Sequence, residues 1–162
     1  MNGTDSLIVV GVADIKIGKG PDVITTSVGS CIAVCLYHPQ RRVGGMLPLM
    51  LGRMGDAGNR NGVKKAKFAD SGIPELLHQL KTAFGLEDRD FVAKIFGGAR
   101  ILKDVSYDIG RNNEEASRAV LKNMGINIIA SKTGGEKGYK VKFDLSSGKV
   151  KCRIMGEDEK EY

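Results

Sequence analysis

Glycine divides this chain into short apolar runs, and this spacing limits the folds that the chain can adopt. The 162 residues include 22 glycines, which separate apolar runs along the whole length of the sequence. Glycines placed in this way favour many turns between short strands and helices, a pattern typical of an α/β domain. A chain of this length fits one domain, and it shows no internal repeat. We therefore predict a single domain over residues 1–155, followed by an acidic tail at residues 156–162 that frays.

Four apolar segments predict the main strands. Residues 7–12 are rich in β-branched side chains, which favours a first strand. Residues 31–37 are apolar without interruption, as expected of a strand that is buried on both faces. Further apolar runs follow at residues 43–51 and 91–96. The segment at residues 27–30, which precedes the longest uninterrupted run, is interpreted as a turn.

Two segments show helical periodicity. The first has Ser71 near its cap and Pro74 in its first turn, where the missing N–H is harmless. In the second, Asn112 or Asn113 is the predicted N-cap and Gly125 is the predicted C-terminal stop. The predicted apolar positions are Ile73, Leu76, Leu77, Leu80 and Phe84 in the first helix, and Ala116, Ala119, Val120 and Met124 in the second.

The clearest local pattern lies near the C-terminal end. Apolar and polar residues alternate over residues 140–145 and 150–154, with a Ser-Ser-Gly turn between them. This alternation predicts a β-hairpin with one face in the core and the other in water. Residues 52–67, by contrast, are polar, basic and rich in glycine, so we expect a surface loop there.

The composition excludes several classes of protein. The formal net charge is +6, but Lys and Arg are interleaved with Asp and Glu, so no basic stripe for nucleic acid is predicted. No apolar run approaches the roughly 18 residues of a membrane-spanning helix, so membrane insertion is not expected. The three cysteines and the polar first residues indicate neither a disulfide framework nor a secretory signal. We therefore expect a soluble cytoplasmic protein that binds no nucleic acid.

One of the three cysteines stands in a context that suits chemistry. Cys35 and Cys152 have apolar neighbours, among which a cysteine acts as a small hydrophobic side chain. Cys31 instead follows Gly29 and Ser30 and opens a predicted strand. The backbone N–H groups of such a turn could face a developing oxyanion. Cys31 is the candidate nucleophile and Gly29 and Ser30 are candidate backbone support, while an ordinary structural cysteine is the alternative.

A longer set of short motifs carries a family resemblance. The motifs lie at residues 25–37, 43–46, 50–51, 68–74, 94–99, 109–112, 125–126, 134–143 and 147–148. No single motif is specific, but together they span nearly the whole chain in one order. On these motifs the chain resembles the CheD family, the chemotaxis-associated protein glutamine deamidases.

The resemblance implies a fold, an activity and partners. The expected fold is a CheD-like layered sandwich of mixed β-strands and packed helices, of the α/β (α+β) class. The implied activity converts chemoreceptor glutamine side chains to glutamate through a thioester at Cys31, which matches the family nucleophile. Thr25 matches the family threonine, whose hydroxyl or carbonyl would orient the base, and an ordinary strand threonine is the alternative. The implied partners are the cytoplasmic helices of methyl-accepting chemotaxis proteins and CheC-type phosphatases, with no cofactor and no metal.

The chain departs from the family pattern at one position. Two residues after Met46, where the family has a histidine, this chain has Pro48. The two histidines of the sequence are His38, predicted at the far end of the Cys31 strand, and His78, predicted on the exposed face of the first helix. Neither is expected to serve as the base. Two interpretations stay open: a deamidase whose base comes from another group or from a partner chain, and a catalytically impaired module that binds CheC-type phosphatases or receptors.

Overall fold

Ten strands and two α-helices make up the described part of the chain, which in this computed structural model comprises residues 6–52, 64–87, 90–102 and 106–162. The strands are β1 (Leu7–Val9), β2 (Lys16–Lys19), β3 (Val23–Val28), β4 (Ile32–His38), β5 (Val43–Leu49), β6 (Val92–Gly97), β7 (Asn127–Thr133), β8 (Tyr139–Asp144), β9 (Val150–Ile154) and β10 (Lys160–Glu161). The helices are α1 (Ala69–Phe84) and α2 (Ile109–Asn123), and one turn of 3-10 helix spans Lys65–Lys67. Within these ranges, no helix is long and apolar enough to cross a membrane.

The strands form two mixed sheets. Sheet A has the order β1-β3-β8-β9-β10, and sheet B has the order β2-β5-β4-β6-β7. β1 pairs with β3 in parallel, as β6 does with β7, whereas β4 pairs in antiparallel fashion with both of its neighbours. Parallel strands need a long crossover, and α2 supplies it between β6 and β7. The predicted class, a layered α/β (α+β) sandwich, is confirmed.

Sheet B is the middle layer, with the helices on one side and sheet A on the other. Alternate residues of a strand point to opposite faces. Accordingly, Ile32, Val34 and Leu36 of β4 join the core that includes the helices, and Ala33, Cys35 and Tyr37 join the core between the two sheets. Every residue of β4 and β5 is buried, which confirms the prediction of a strand covered on both faces.

The C-terminal hairpin is also confirmed. β8 and β9 pair in antiparallel fashion with Val141 opposite Cys152, and both side chains are buried between the sheets. Gly148 in the connecting turn has a φ of 79° and lies against the ring of Tyr37. A Cβ atom at this glycine would lie 2.5 Å from that ring, so the turn depends on the absence of a side chain.

The first helix begins earlier than predicted. α1 starts at Ala69, so Ser71 is not its cap and Pro74 lies in the second turn rather than the first. A proline at that position cannot donate to the carbonyl four residues before it. The predicted apolar face is confirmed by the burial of Ile73, Leu76, Leu77 and Leu80 and by the partial burial of Phe84 against the same core.

The second helix has a different cap from the predicted one. Asp108 precedes α2, and its carboxylate accepts a hydrogen bond of 3.0 Å from the Arg111 N–H. The prediction of Asn112 or Asn113 as the N-cap is therefore wrong, because both lie inside the helix. Gly125, with a φ of 73°, follows the helix as predicted. Of the predicted stripe, Ala116, Val120 and Met124 pack against the core, whereas Ala119 is exposed.

Two further segments are more regular than the sequence indicates. β3 continues to Val28, so only two residues of the predicted turn at residues 27–30 remain outside strands. The expected fraying of the acidic tail is wrong at its last residues, because β10 pairs with β9 and Tyr162 exchanges main-chain hydrogen bonds of 2.8 and 2.9 Å with Val150. Most of the predicted surface loop, residues 53–63, lies outside the described residues.

Candidate functional site

Cys31 differs from the other two thiols in its exposure. It lies directly before β4 and is partly exposed, whereas Cys35 and Cys152 are buried between the sheets. The predicted placement of the three thiols is therefore confirmed. Burial raises the pKa of the Cys31 thiol, an effect that its own main-chain N–H opposes to a smaller extent. The thiol is accessible, but its environment does not favour the thiolate.

The main chain around Cys31 is held by residues 97–99, at the end of β6 and directly after it. The carbonyl of Cys31 accepts from the Gly98 N–H at 2.9 Å, and the carbonyl of Gly29 accepts from the Ala99 N–H at 2.9 Å. Gly97 and Gly98 have φ values of 110° and 71°. A Cβ atom at Gly97 would collide with the Cys31 carbonyl, so only glycine permits this close approach. The Gly-Gly pair at the end of β6 thus fixes residues 29–31, which we call the thiol turn.

A buried asparagine holds the same turn from the helical side. Asn113 of α2 is 1% exposed, and its side-chain amide donates to the carbonyl of Ser30 at 2.9 Å and to the carbonyl of Met50 at 2.8 Å. These two carbonyls belong to the residue before Cys31 and to the residue after β5. One carboxamide therefore joins the thiol turn to the end of the neighbouring strand. The sequence does not predict this role, because Asn113 is there one of two candidate helix caps.

Within the described ranges, the carbonyls of the thiol turn are hydrogen-bonded, whereas the N–H groups of Gly29 and Ser30 have no protein partner. The carbonyls of Gly29, Ser30 and Cys31 all accept hydrogen bonds. Among the described residues, no main-chain or side-chain acceptor is bonded to the N–H of Gly29 or of Ser30. Main-chain N–H groups that are held in place and lack a protein partner are suited to bind an anion or a developing oxyanion.

Thr25 does not share a face with Cys31. Along β3, Ile24 and Val28 point into the core between the sheets, so the intervening Thr25 points to the outer face of sheet A. Its hydroxyl donates to the carbonyl of Val141 at 2.9 Å, and the side chain is 4% exposed. The structure therefore brings together Cys31 and its two preceding residues, but it does not bring the Thr25 hydroxyl to them.

Pro48 occupies a position from which a longer side chain reaches the thiol. It lies on β5 opposite Ala33, and continuing this register by one step sets Cys31 opposite Met50. Cys31 and Pro48 are thus diagonal neighbours, whose Cα atoms are about 7–8 Å apart. The Pro48 carbonyl accepts from the Ala13 N–H at 2.8 Å on the side away from β4. Since the nitrogen of Pro48 faces the same side, proline removes no hydrogen bond between β4 and β5.

Neither histidine is near the thiol. His38 is the last residue of β4, a strand of seven residues, which separates it from Cys31 by more than about 20 Å. Its Nε2 atom lies 3.5 Å from Asp90, and its Nδ1 atom accepts from the Arg41 N–H at 3.2 Å. His78 is exposed on α1, which packs on the opposite side of sheet B from Cys31. Both predicted placements are confirmed, and neither imidazole can exchange a proton with the thiol directly.

An apolar groove opens beside the thiol turn. It is lined by Ser30, by Ile101 and Leu102 after the Gly-Gly pair, and by Tyr107 before α2. The three apolar side chains are exposed, and Ile101 packs directly over Gly29. A peptide that presented a side-chain amide to Cys31 would therefore also contact apolar surface.

The fold and the site define a layered α/β domain that presents one accessible thiol on a turn held rigidly by its main chain. Residues 46–154 match the family described as "CheD chemotactic sensory transduction". The chain is 39% identical to the "Probable chemoreceptor glutamine deamidase CheD" of Desulforamulus reducens, over 92% of this chain and 91% of that protein. It is 37% identical to the Methanococcus vannielii protein of the same name, over 91% and 95% of the two chains. It is 36% identical to the "Chemoreceptor glutamine deamidase CheD" of Thermotoga maritima, over 93% and 94%. The chain belongs to the CheD family.

Proposed function

We propose that this chain deamidates glutamine side chains of chemoreceptors, with Cys31 as the nucleophile. The observation that carries the proposal is the thiol turn itself. Among the described residues, its carbonyls accept hydrogen bonds, the N–H groups of Gly29 and Ser30 have no protein acceptor, and its cysteine is the only accessible one. The names of the relatives, which are chemoreceptor glutamine deamidases, supply the substrate class.

The proposed reaction passes through a thioester. The sulfur of Cys31 attacks the carbonyl carbon of the glutamine side chain, and the carbonyl oxygen becomes an oxyanion that accepts hydrogen bonds from the N–H groups of Gly29 and Ser30. The carbon–nitrogen bond then breaks, and the nitrogen leaves as ammonia after taking up a proton. Water attacks the thioester, which releases glutamate and regenerates the thiol.

Generation of the thiolate is the weak step in this chain. Pro48 cannot accept a proton, and burial raises the pKa of Cys31, so little thiolate forms near neutral pH. A positioned base typically contributes at least about a hundredfold in rate. We therefore propose a slow enzyme, or one whose base is supplied by the partner chain. Thr25 would orient a base through its carbonyl rather than its hydroxyl, since the hydroxyl donates to the Val141 carbonyl at 2.9 Å.

The proposed partners are the cytoplasmic helices of chemoreceptors and a CheC-type phosphatase. Since these partners are cytoplasmic, we propose a cytoplasmic location for this protein as well. The groove of Ile101, Leu102 and Tyr107 is the surface on which the receptor segment around the target glutamine would rest. An immobilised CheC-type protein from the same organism is expected to retain this chain, and Cys31→Ala is expected to leave that retention intact. Absence of association at micromolar concentrations contradicts the CheC part of the proposal.

Conversion of receptor glutamine to glutamate, followed by mass spectrometry on receptor fragments from the same genome, tests the proposed function. We expect conversion by the wild-type chain and none by Cys31→Ala. Cys152→Ala is the matched control, because Cys152 is buried between the sheets away from the thiol turn, and it is expected to retain activity. Receptor binding without conversion by the wild type identifies the chain as the catalytically impaired binding module instead.

A further inference from the structure

Four cations form a block on the outer face of sheet A. The register of the hairpin sets Lys140 directly opposite Arg153 and Lys142 directly opposite Lys151. These positions alternate with Val141, Phe143 and Cys152, which point into the core, so the four charged side chains share the outer face. Three of them are exposed, and Lys140 is partly exposed. We refer to these four residues as the cationic quartet.

The cationic quartet is unfavourable for folding. Side chains directly opposite each other on an antiparallel pair have Cβ atoms about 4.5–5.5 Å apart, and like charges in such pairs destabilise the sheet. Glu159 pairs with Lys142 at 3.6 Å. β10 sets Glu161 directly opposite Lys151, and continuing this register by one step sets Glu159 opposite Arg153, so two carboxylates share the outer face with the four cations. Within the described part of the chain, neither carboxylate forms a close ion pair with Lys140, Lys151 or Arg153. The face therefore keeps a surplus of positive charge, and opposed like charges of this kind are expected at functional surfaces.

The same face offers an apolar edge and a shallow centre. β1 presents Leu7 and Val9, which are 65% and 68% exposed. By register, Val9 lies beside Thr25, and Thr25 lies beside Lys142 of the cationic quartet. β3, which lies between β1 and β8, contributes the small side chains of Thr25 and Ser27 to this face, so the surface is lower along β3 than along its two neighbours. From β1 to β9 the face is apolar, then small and polar, then basic, and the edge strand β10 adds the carboxylates of Glu159 and Glu161.

We propose that this face docks an acidic amphipathic helix of a partner protein. β1 and β8 lie two strand spacings apart, about 9.6 Å, which matches the roughly 10 Å diameter of a helix that rests on β3. The two cation pairs lie two residues apart along the hairpin, about 6.8 Å. Carboxylates four residues apart on a helix lie about 6 Å apart and meet both pairs, while an apolar stripe of that helix covers Leu7 and Val9. The described residues of this face include no aromatic ring on which a base could stack, which argues against nucleic acid.

The docking face is separate from the proposed chemistry. Cys31 packs against the core between the sheets, on the other side of sheet A from the cationic quartet. A helix on the outer face would therefore leave the thiol turn open. This inference goes beyond the proposed deamidase, because Cys31→Ala removes the thiol and is expected to leave docking unchanged.

A stapled helical peptide tests the inference. The probe carries Glu at positions four residues apart and Leu along the neighbouring stripe, and its binding to the full chain is followed by fluorescence anisotropy. We expect binding that weakens as salt rises, and a Kd that increases about tenfold in Lys140→Gln with Lys151→Gln. The matched control, Lys19→Gln with Lys122→Gln, removes the same charge at exposed positions of β2 and α2, and its Kd is expected to stay within about twofold.

Thermal unfolding of the same variants separates docking from folding. Removal of the two cations relieves like-charge pairs but also takes Lys151 away from Glu161, so Tm is expected to stay within about 3 °C of the wild type and weaker binding cannot come from unfolding. The inference is overturned if both double variants bind the peptide equally, or if a peptide with Lys in place of Glu binds as well. Tighter quartet-dependent binding of a duplex oligonucleotide or of anionic phospholipid vesicles overturns the choice of partner.

Discussion

A cysteine and a histidine lie at the two ends of β4, and the two ends differ in what is held in place and what is accessible. At the Cys31 end the main chain is fixed, through the Gly-Gly pair and Asn113, while the side chain stays accessible. At the other end His38 is 3% exposed, and its ring is fixed by Asp90 and by an edge-on contact with Phe91. One end is built to present a side chain, and the other is built to bury one.

Proton transfer between a thiol and an imidazole therefore depends on where the two groups lie in the fold, and the presence of both in the chain is not enough. A thiol and an imidazole are both present, but a rigid strand of seven residues keeps them apart. The nearest position from which a base could reach Cys31 belongs to the neighbouring strand, at Pro48. Each of the following predictions tests how one end of β4 is built, and the last also asks whether the other end responds.

The largest effect is expected from Pro48→His, which gives the thiol end the imidazole that it lacks. The substitution introduces a side chain diagonal to Cys31 and removes no hydrogen bond between β4 and β5. A positioned base contributes roughly a hundredfold to ten-thousandfold, although a change in the path of β5 would reduce the gain. Glutamine-to-glutamate conversion on receptor fragments measures it, and an increase of about tenfold already supports the site.

The control for this prediction is Pro48→His combined with Cys31→Ala, which is expected to abolish the new activity. If the wild type already deamidates receptor fragments at a rate that Pro48→His leaves unchanged, the chain uses another base. The account of the missing histidine is then wrong.

Asn113→Ala is expected to weaken the thiol end by removing the amide that joins it to β5. The partly buried carbonyls of Ser30 and Met50 would lose their donor, and at about 0.5–1.5 kcal/mol for each hydrogen bond the variant is expected to lose about 1–3 kcal/mol in the free energy of unfolding. Urea denaturation measures the loss. Asn112→Ala, one residue earlier on the same helix, is the matched control and is expected to change stability by less than about 0.5 kcal/mol. Equal losses in the two variants contradict the role assigned to Asn113.

Alkylation by iodoacetamide under native conditions compares the three thiols. Cys31 is expected to react at least about tenfold faster than the others, because it alone is accessible and burial raises the pKa of Cys152 to about 11. Burial raises the pKa of Cys31 too, so its rate should keep increasing with pH through and above the usual thiol range near 8.5. Faster labelling of Cys35 or Cys152, or a plateau at neutral pH, contradicts this view of the site.

The smallest effect is expected at the histidine end. Asp90→Asn removes a carboxylate 3.5 Å from His38, but Asp90 is about half exposed, so the free energy of unfolding should change by less than about 1 kcal/mol. The alkylation rate of Cys31 is expected to stay unchanged, since β4 separates the two groups. A slower or faster Cys31 in this variant would mean that the two ends are coupled.

The sequence predicts the parts of the fold whose patterns are local. The continuous apolar run of β4 and the alternation of the hairpin each contain enough residues to define a buried face. Cys31 could be distinguished for the same reason, because its immediate neighbours differ from those of Cys35 and Cys152. The resemblance to the CheD family then supplied the layered arrangement that no single segment contains.

The remaining features depend on distant contacts. Asp108 and Asn113 are both residue types that cap helices. Only the packing of α2 against the thiol turn decides that Asp108 caps the helix and that Asn113 donates to the Ser30 carbonyl. The acidic tail has few apolar residues, yet its last residue exchanges hydrogen bonds with Val150 and packs its ring against Phe96. β7 was not predicted, because its polar residues gave no clear period and its stability comes from parallel pairing with β6.

The nitrogen of Pro48 faces away from β4, and this orientation has a consequence for inheritance. Codons for proline and histidine can differ by a single base, and the strand loses no hydrogen bond between β4 and β5 with either residue. A lineage can therefore exchange the two by one point mutation without passing through an unfolded intermediate. Catalytic strength at this site becomes a trait that selection can remove and restore, while the scaffold and its binding surfaces are inherited intact.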